Sequence, residues 1–157
     1  MMFMTDSKKL TDLLNESSVI LNLVSRNKAD AINELSERAC ANVVGHQHLQ
    51  ELLTAVWKRE GSMSTGVGFG IGIPHAALDM KSCTTAVVGI SKEGLDFQAL
   101  DGNPVHIIIL FVTEKGNFQK HLHTLASIAK VLRDADVRKR LETATSANDV
   151  LAALASV

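Results

Sequence analysis

The chain of 157 residues contains no tyrosine, one tryptophan and two cysteines, and aromatic residues make up 4% of it. Proteins that bind single-stranded nucleic acid stack its bases on aromatic side chains, which are scarce here. The formal net charge is −1, and lysine and arginine are spread along the chain, so no basic patch is expected. Nucleic acid is therefore not an expected partner.

Long hydrophobic runs are also missing. The longest, residues 105–112, is interrupted by His106 and is much shorter than the roughly 20 residues that span a bilayer. The first residues, MMFMTDSKKL, lack the apolar stretch of a signal peptide. We therefore expect a cytoplasmic protein with no membrane insertion. In that compartment Cys40 and Cys83 are expected to be free thiols, buried as packing residues.

The composition is that of a globular domain, with 46% hydrophobic and 21% charged residues. We expect residues 1–157 to form one domain, with a core of about residues 6–155. Branched apolar residues predict strands over residues 19–24, 84–90 and 105–112. The last of these is a nearly continuous apolar run, as expected for a strand that is covered on both faces.

Apolar residues recur at helical spacing in several segments. Asn27 and Asp30 form a capping pair, which predicts the start of a helix that ends near residue 39. A second helix is predicted over residues 49–60, and three more in the last third of the chain. A short N-terminal helix is predicted with Asp6 or Ser7 as its cap. The order of these elements predicts one sheet with helices packed on it.

A segment with five glycines, residues 61–74, leads into His75. Glycines let the backbone approach a ligand closely and aim successive N–H groups at an anion. Pro74 fixes the backbone φ angle just before His75. The segment is neither a dinucleotide fingerprint nor a P-loop, because no Lys-Ser or Lys-Thr follows it. On composition alone, an anion site beside His75 and a glycine-rich turn with an idle histidine are equally open.

The other histidines have weaker contexts. On a helix over residues 118–133, His121 lies at the edge of the apolar face near the helix N-terminus, where negative charge is favoured. His123 points about 200° away from His121 and is expected to face water. His46 and His48 precede a helix but have no evident third ligand, so no metal site is expected.

Three consecutive motifs match the pattern of a known family: Arg59-Glu60, Ser64-Thr65-Gly66-Val67-Gly68 and Gly70-Ile71-Gly72-Ile73-Pro74-His75. The chain resembles the enzyme IIA domain of the fructose–mannitol type in the bacterial sugar phosphotransferase system. The likeness extends to Phe97, to residues 99–102 and to His121-Leu122, and so covers nearly the whole chain. With no permease or second phosphotransfer domain attached, the sequence is most similar to the free-standing nitrogen-regulatory enzyme IIA.

The resemblance implies an α/β protein of three layers (α/β/α), with a mixed β-sheet covered by helices on both faces. It implies that His75 is phosphorylated, that His121 contacts the phosphoryl group, and that Arg59 helps to hold it. The implied phosphate-cradling loop contains Ser64, Thr65, Gly66, Gly70 and Gly72. The implied donor is the phosphocarrier HPr or its nitrogen-branch counterpart, and the acceptor is enzyme IIB or a regulatory target protein. No cofactor is expected.

Three residues depart from the family pattern: Phe69 replaces a usually polar residue, Ala76 a glycine and Gly72 an alanine. The two small replacements conserve size, whereas Phe69 either exposes an apolar ring beside the site or buries it, which bears on partner choice. Two other hypotheses stay open. One is a non-catalytic binding module with the same fold, and the other is a metal- or nucleotide-dependent enzyme.

Overall fold

The computed structural model of the protein describes residues 10–62 and 64–155, apart from the side chains of Phe118 and His121. The helices are α1 (Lys28–Ala39), α2 (Leu49–Glu60), α3 (Phe118–Leu132), α4 (Ala135–Glu142) and α5 (Ala147–Ala155). The strands are β1 (Val19–Ile20), β2 (Gly66–Gly68), β3 (Ile71–Gly72), β4 (His75–Leu78), β5 (Thr85–Leu95) and β6 (Val105–Glu114). Within these described ranges, no helix is both long and apolar enough to cross a bilayer.

The strands form one mixed sheet in the order β1-β5-β6-β3-β2, and β4 also pairs with β6. The central strands β5 and β6 are antiparallel, whereas β3 and β4 run parallel to β6. These two short strands occupy one edge of β6 in succession: Ile71 pairs with Ile107, and His75 pairs with Phe111. The offset between paired residues is the same for both strands, so the chain continues along β6 through residues 73–74, and His75 is the first paired residue after this interruption.

The two faces of β6 are both covered by helices. Ile108, Leu110 and Val112 are buried in the cluster that contains the apolar faces of α1 and α2. Ile107, Ile109 and Phe111 are buried in a second cluster, formed with residues of α3, α4 and α5. Alternate side chains of a strand point to opposite faces, so an apolar run is what this central position requires. The three-layer α/β/α architecture is confirmed.

Several predicted boundaries differ from the structure. The first strand ends at Ile20, although the Leu23 N–H still bonds the Ile90 carbonyl at 2.9 Å. The capping pair of α1 is confirmed, since the Asn27 side chain accepts the Asp30 N–H at 2.9 Å. The predicted cap at Asp6 or Ser7 lies outside the described residues.

We expect Ile108→Ala to lower the free energy of unfolding by about 2–5 kcal/mol, because it leaves a cavity beside the central strand. Ile108 is completely buried, whereas Val24 is 82% exposed and serves as the control. Val24→Ala should change the free energy of unfolding by no more than about 0.5 kcal/mol. Urea denaturation measures both, and equal effects of the two substitutions would contradict the assignment of β6 to the core.

Candidate functional site

His75 lies at the start of β4, directly after Pro74. Ala76 and Leu78 are buried in the cluster that contains α1 and α2. Because side chains alternate along a strand, His75 and Ala77 face the opposite side of the sheet, as does Phe111, the partner of His75 in β6. The imidazole is half-buried, so it is held by the protein and remains accessible from solvent.

A short contact to the backbone helps to fix the His75 imidazole. Its Nδ1 lies 3.0 Å from the Ile73 carbonyl oxygen. A carbonyl only accepts hydrogen bonds, so Nδ1 carries the proton and donates it. In the neutral ring the other nitrogen, Nε2, is then the unprotonated one. This tautomer is assigned from the hydrogen-bond partner.

The surroundings of His75 favour the neutral ring. Burial is the largest cause of a pKa below the usual range for this histidine, and the positive charge of Arg59 lowers the pKa further. The bond to Ile73 and the negative charge of Glu60 act in the opposite direction. The net result is an imidazole that is neutral at pH 7, which a nitrogen nucleophile requires.

Arg59 and Glu60 are the last two residues of α2, and both act electrostatically on His75. Arg59 is half-buried, whereas Glu60 is 5% exposed. The structure therefore brings the predicted phosphate-holding arginine into the neighbourhood of the predicted acceptor. Its contact with a phosphoryl group stays a prediction.

The Glu60 carboxylate is the centre of a buried polar network. Lys28 Nζ lies 2.6 Å from its Oε2, and the Thr65 N–H bonds both of its oxygens at 3.1–3.2 Å. The Thr65 hydroxyl donates to Oε1 as well. Lys28 Nζ also lies 4.9 Å from the centre of the Phe97 ring. Sequence reasoning missed this role of Lys28, whose position in the first turn of α1 carries no signal for it.

The predicted cradle residues mostly bond within the protein. The Ser64 hydroxyl donates to the Phe97 carbonyl at 3.1 Å and accepts the Gly66 N–H at 3.1 Å. Gly72 packs against the Phe97 ring, which would lie 3.1 Å from an added Cβ. The N–H groups of Thr65 and Gly66 thus already have internal acceptors. These residues shape the β2–β3 hairpin, and their contact with phosphate stays a prediction.

Gly70 and Phe69 form the tip of that hairpin, and both have positive φ angles, 77° and 59°. The Phe69 ring is 68% exposed and lies 4.9 Å from the Arg138 guanidinium. The pairing of β3 and β4 with β6 places Ile71 four residues, or roughly 13 Å, from His75 along this side of β6. The Phe69 ring is therefore exposed, which is one of the two expected outcomes. It lies beyond Ile71, at the end of β3 that is farther from His75.

These observations agree with one family. The family model described as "Phosphoenolpyruvate-dependent sugar phosphotransferase system, EIIA 2" matches residues 12–157. The chain belongs to this EIIA family. Its members are phosphoryl-transfer components of that system.

Curated relatives of this EIIA chain come from both sugar and nitrogen branches. The fructose-specific EIIA component of Haloferax volcanii is 40% identical over 105 residues, which cover 67% of this chain and 68% of that protein. The nitrogen regulatory protein of Bradyrhizobium diazoefficiens is 31% identical over 146 residues, covering 93% and 94% of the two chains. The fructose-specific EIIABC component of Bacillus subtilis is 31% identical over 145 residues, 91% of this chain, but the match spans 22% of that longer protein.

Solved structures show the same fold. The nitrogen regulatory protein IIA-Ntr from Neisseria meningitidis superposes with a TM-score of 0.85 at 26% identity, covering 92% of this EIIA chain and 97% of the other. The mannitol enzyme IIA of Escherichia coli, solved in complex with phosphorylated enzyme IIB, gives a TM-score of 0.75 at 23% identity and coverage of 92% and 98%.

The remaining histidines have varied surroundings. His121 lies in the first turn of α3, the helix that follows β6, but its side chain is outside the described part of the structure. His123 is exposed, as predicted. His106 Nδ1 bonds the Ser91 carbonyl at 2.9 Å, and His48 pairs with Glu51 at 3.3 Å. In residues 10–62 and 64–155, no group of three or more potential metal ligands is found.

The two cysteines are buried and free in the structure of this EIIA chain. Burial is the main cause that raises the pKa of both thiols, Cys40 and Cys83. A raised pKa disfavours the reactive thiolate at neutral pH. The prediction that they act as packing residues is confirmed.

We expect His75 to titrate below about 6.5, the usual value for imidazole, because burial and Arg59 disfavour its charged form. An NMR titration of the His75 ring carbon and proton signals measures the midpoint. Between the folded and unfolded pKa values the unfolded chain binds more protons, so stability should rise with pH across that interval. His75→Gln should remove this part of the pH dependence, and a midpoint at or above that of a histidine in an unfolded peptide would contradict the assignment.

Proposed function

We propose that this EIIA chain is a phosphocarrier that accepts a phosphoryl group on Nε2 of His75 and passes it to a second protein. The observation that supports this most is the state of the imidazole: half-buried, neutral, bonded through Nδ1 to Ile73 and with Nε2 left as the nucleophile. The donor is HPr or its nitrogen-branch counterpart, and the acceptor is an enzyme IIB or a regulatory target protein.

The proposed transfer needs no proton movement at His75. The Nε2 electron pair attacks the phosphorus of the donor's phosphohistidine, the new N–P bond forms as the donor's N–P bond breaks, and that electron pair returns to the donor ring. The proton stays on Nδ1 and is donated to the Ile73 carbonyl throughout. The phosphorylated ring then carries a positive charge, and a charge-assisted hydrogen bond to that carbonyl stabilises it.

Phosphoryl transfer asks a protein mainly for positioning and for stabilisation of negative charge. Arg59 supplies a fixed positive charge close to His75. The N-terminal turn of α3 contains His121, and the first turn of a helix favours an anion through its N–H groups and its dipole. We assign to His121 the contact with the phosphoryl group that orients it for onward transfer.

The relatives support both proposed outlets of the phosphoryl group. A fructose-specific EIIA component and a nitrogen regulatory protein are similar to this chain, and the latter is covered almost end to end. A mannitol enzyme IIA of the same fold forms a complex with phosphorylated enzyme IIB, which makes an IIB-type partner a reasonable acceptor.

The protein should gain one phosphate when it is incubated with phosphoenolpyruvate, enzyme I and HPr. The same is expected when the nitrogen-branch counterparts of enzyme I and HPr are the donor pair. Intact mass measured at alkaline pH, where phosphohistidine survives, detects it. His75→Ala should abolish the addition because it removes the nucleophile, whereas the control His123→Ala, at an exposed residue, should accept phosphate normally. No addition to the unaltered protein from either donor pair would reject the phosphocarrier and favour the binding module.

His121→Ala should still accept phosphate on His75 but transfer it more slowly to enzyme IIB. The nucleophile is intact in this variant, and only a group that orients the phosphoryl group is lost. Quenched-flow assays of the two half-reactions separate acceptance from onward transfer. Onward transfer at the rate of the unaltered protein would contradict the role given to His121.

A further inference from the structure

A continuous series of hydrogen bonds leads from the buried Glu60 carboxylate to the ring of His75. Glu60 accepts the N–H and the hydroxyl of Thr65. The Thr65 carbonyl accepts the Ile73 N–H at 3.0 Å, and the Ile73 carbonyl accepts the Nδ1 proton of His75 at 3.0 Å. Thr65 and Ile73 link these hydrogen bonds, because each residue uses its N–H for one bond and its carbonyl for the next.

The segment before His75 has little freedom to adjust by itself. Ile73 is held on both of its polar groups, its N–H on Thr65 and its carbonyl on His75. The ring of Pro74 fixes the next φ angle, and the Pro74 carbonyl accepts the Phe111 N–H at 3.0 Å. The direction of the Ile73 carbonyl therefore depends on where Thr65 is held.

Thr65 is held in place by its hydrogen bonds to the Glu60 carboxylate, in addition to its place beside β3. Glu60 is 5% exposed and Thr65 is 3% exposed, so their bonds do not compete with water. A buried carboxylate needs a compensating charge, which Lys28 provides at 2.6 Å. Lys28 also lies over the Phe97 ring, which packs on Gly72, the residue before Ile73. Two separate contacts of the network thus converge on residues 72–73.

We propose that Glu60 is a positioning residue that, through Thr65 and the Ile73 peptide, holds His75 as the Nδ1–H tautomer with Nε2 unprotonated. The effect on phosphoryl transfer rests on the function proposed above, whereas the tautomer is a property of the unphosphorylated protein. Without the carboxylate, Thr65 and the Ile73 carbonyl lose their fixed positions. The ring proton then also occupies Nε2, and that fraction of the protein has no nucleophile.

The test compares two variants that differ only in whether residue 60 offers an acceptor. Each variant also contains Lys28→Met, which avoids an unpaired buried ammonium group. The two resulting double variants are called the Glu60→Gln pair and the Glu60→Leu pair. Glu60→Gln keeps an oxygen for the Thr65 N–H, whereas Glu60→Leu removes it at similar volume. Glu34→Gln is the control for loss of a carboxylate elsewhere, because Glu34 accepts the Ser25 hydroxyl at 2.6 Å and takes no part in the series.

Ring nitrogen shifts of His75 in ¹⁵N NMR spectra report the tautomer directly. The Glu60→Gln pair and the Glu34→Gln control should keep the Nδ1–H signature. The Glu60→Leu pair should show a mixture of tautomers, and its saturated rate of phosphoryl acceptance should fall at least about tenfold with little change in the KM for the donor, as expected of a misplaced nucleophile.

Unaltered ring shifts in the Glu60→Leu pair would overturn the inference, even if the unaltered protein is phosphorylated on His75. If instead the shifts change as expected but no donor phosphorylates the unaltered protein, the positioning role stands and the proposed function fails. Should the Glu60→Leu pair not fold, Thr65→Val against Thr65→Ser makes the same comparison at the hydroxyl. Of these two variants, only Thr65→Val should disturb the tautomer of His75.

Discussion

The hydrogen bond from His75 Nδ1 to the Ile73 carbonyl is the interaction on which the rest of this site depends. It fixes the ring, assigns the proton to one nitrogen and leaves the other as a nucleophile. The carbonyl lies two residues earlier in the chain, and the residue between them, Pro74, has a fixed φ angle. Burial lowers the pKa of His75 more than this bond raises it, so the ring is neutral while the bond keeps its orientation.

The sheet topology provides the place for that bond. Two short strands, β3 and β4, pair with one side of β6 in the same register, and His75 is the first paired residue after the interruption at residues 73–74. The C-terminal end of α2 adds Arg59 and Glu60 from one side, and the start of α3 follows directly after β6. His75 and the positive charge of Arg59 are thus brought together where β4 meets the C-terminal end of α2.

Local patterns predicted much of the fold. The Asn27 cap, the helix over residues 49–60 and the apolar strand β6 depend on neighbouring residues and were found as expected. Lys28 and Glu60 are 32 positions apart, and no local rule pairs them, so their ion pair needed the structure. The glycines of the hairpin predicted close backbone approach correctly, but the partners are Phe97 and Ala99 of this chain. The location of Phe69 depends on strand register, which the glycine pattern leaves open.

In the proposed phosphoryl transfer, Nε2 of His75 accepts the phosphoryl group while Nδ1 keeps its proton and donates it to the Ile73 carbonyl. The most direct measurement is the ¹⁵N and ³¹P NMR spectrum of the phosphorylated protein labelled on its histidine rings. We expect coupling of phosphorus to Nε2 and a protonated Nδ1 that remains hydrogen-bonded. Phosphorus bound to Nδ1, or to another histidine, would contradict the account.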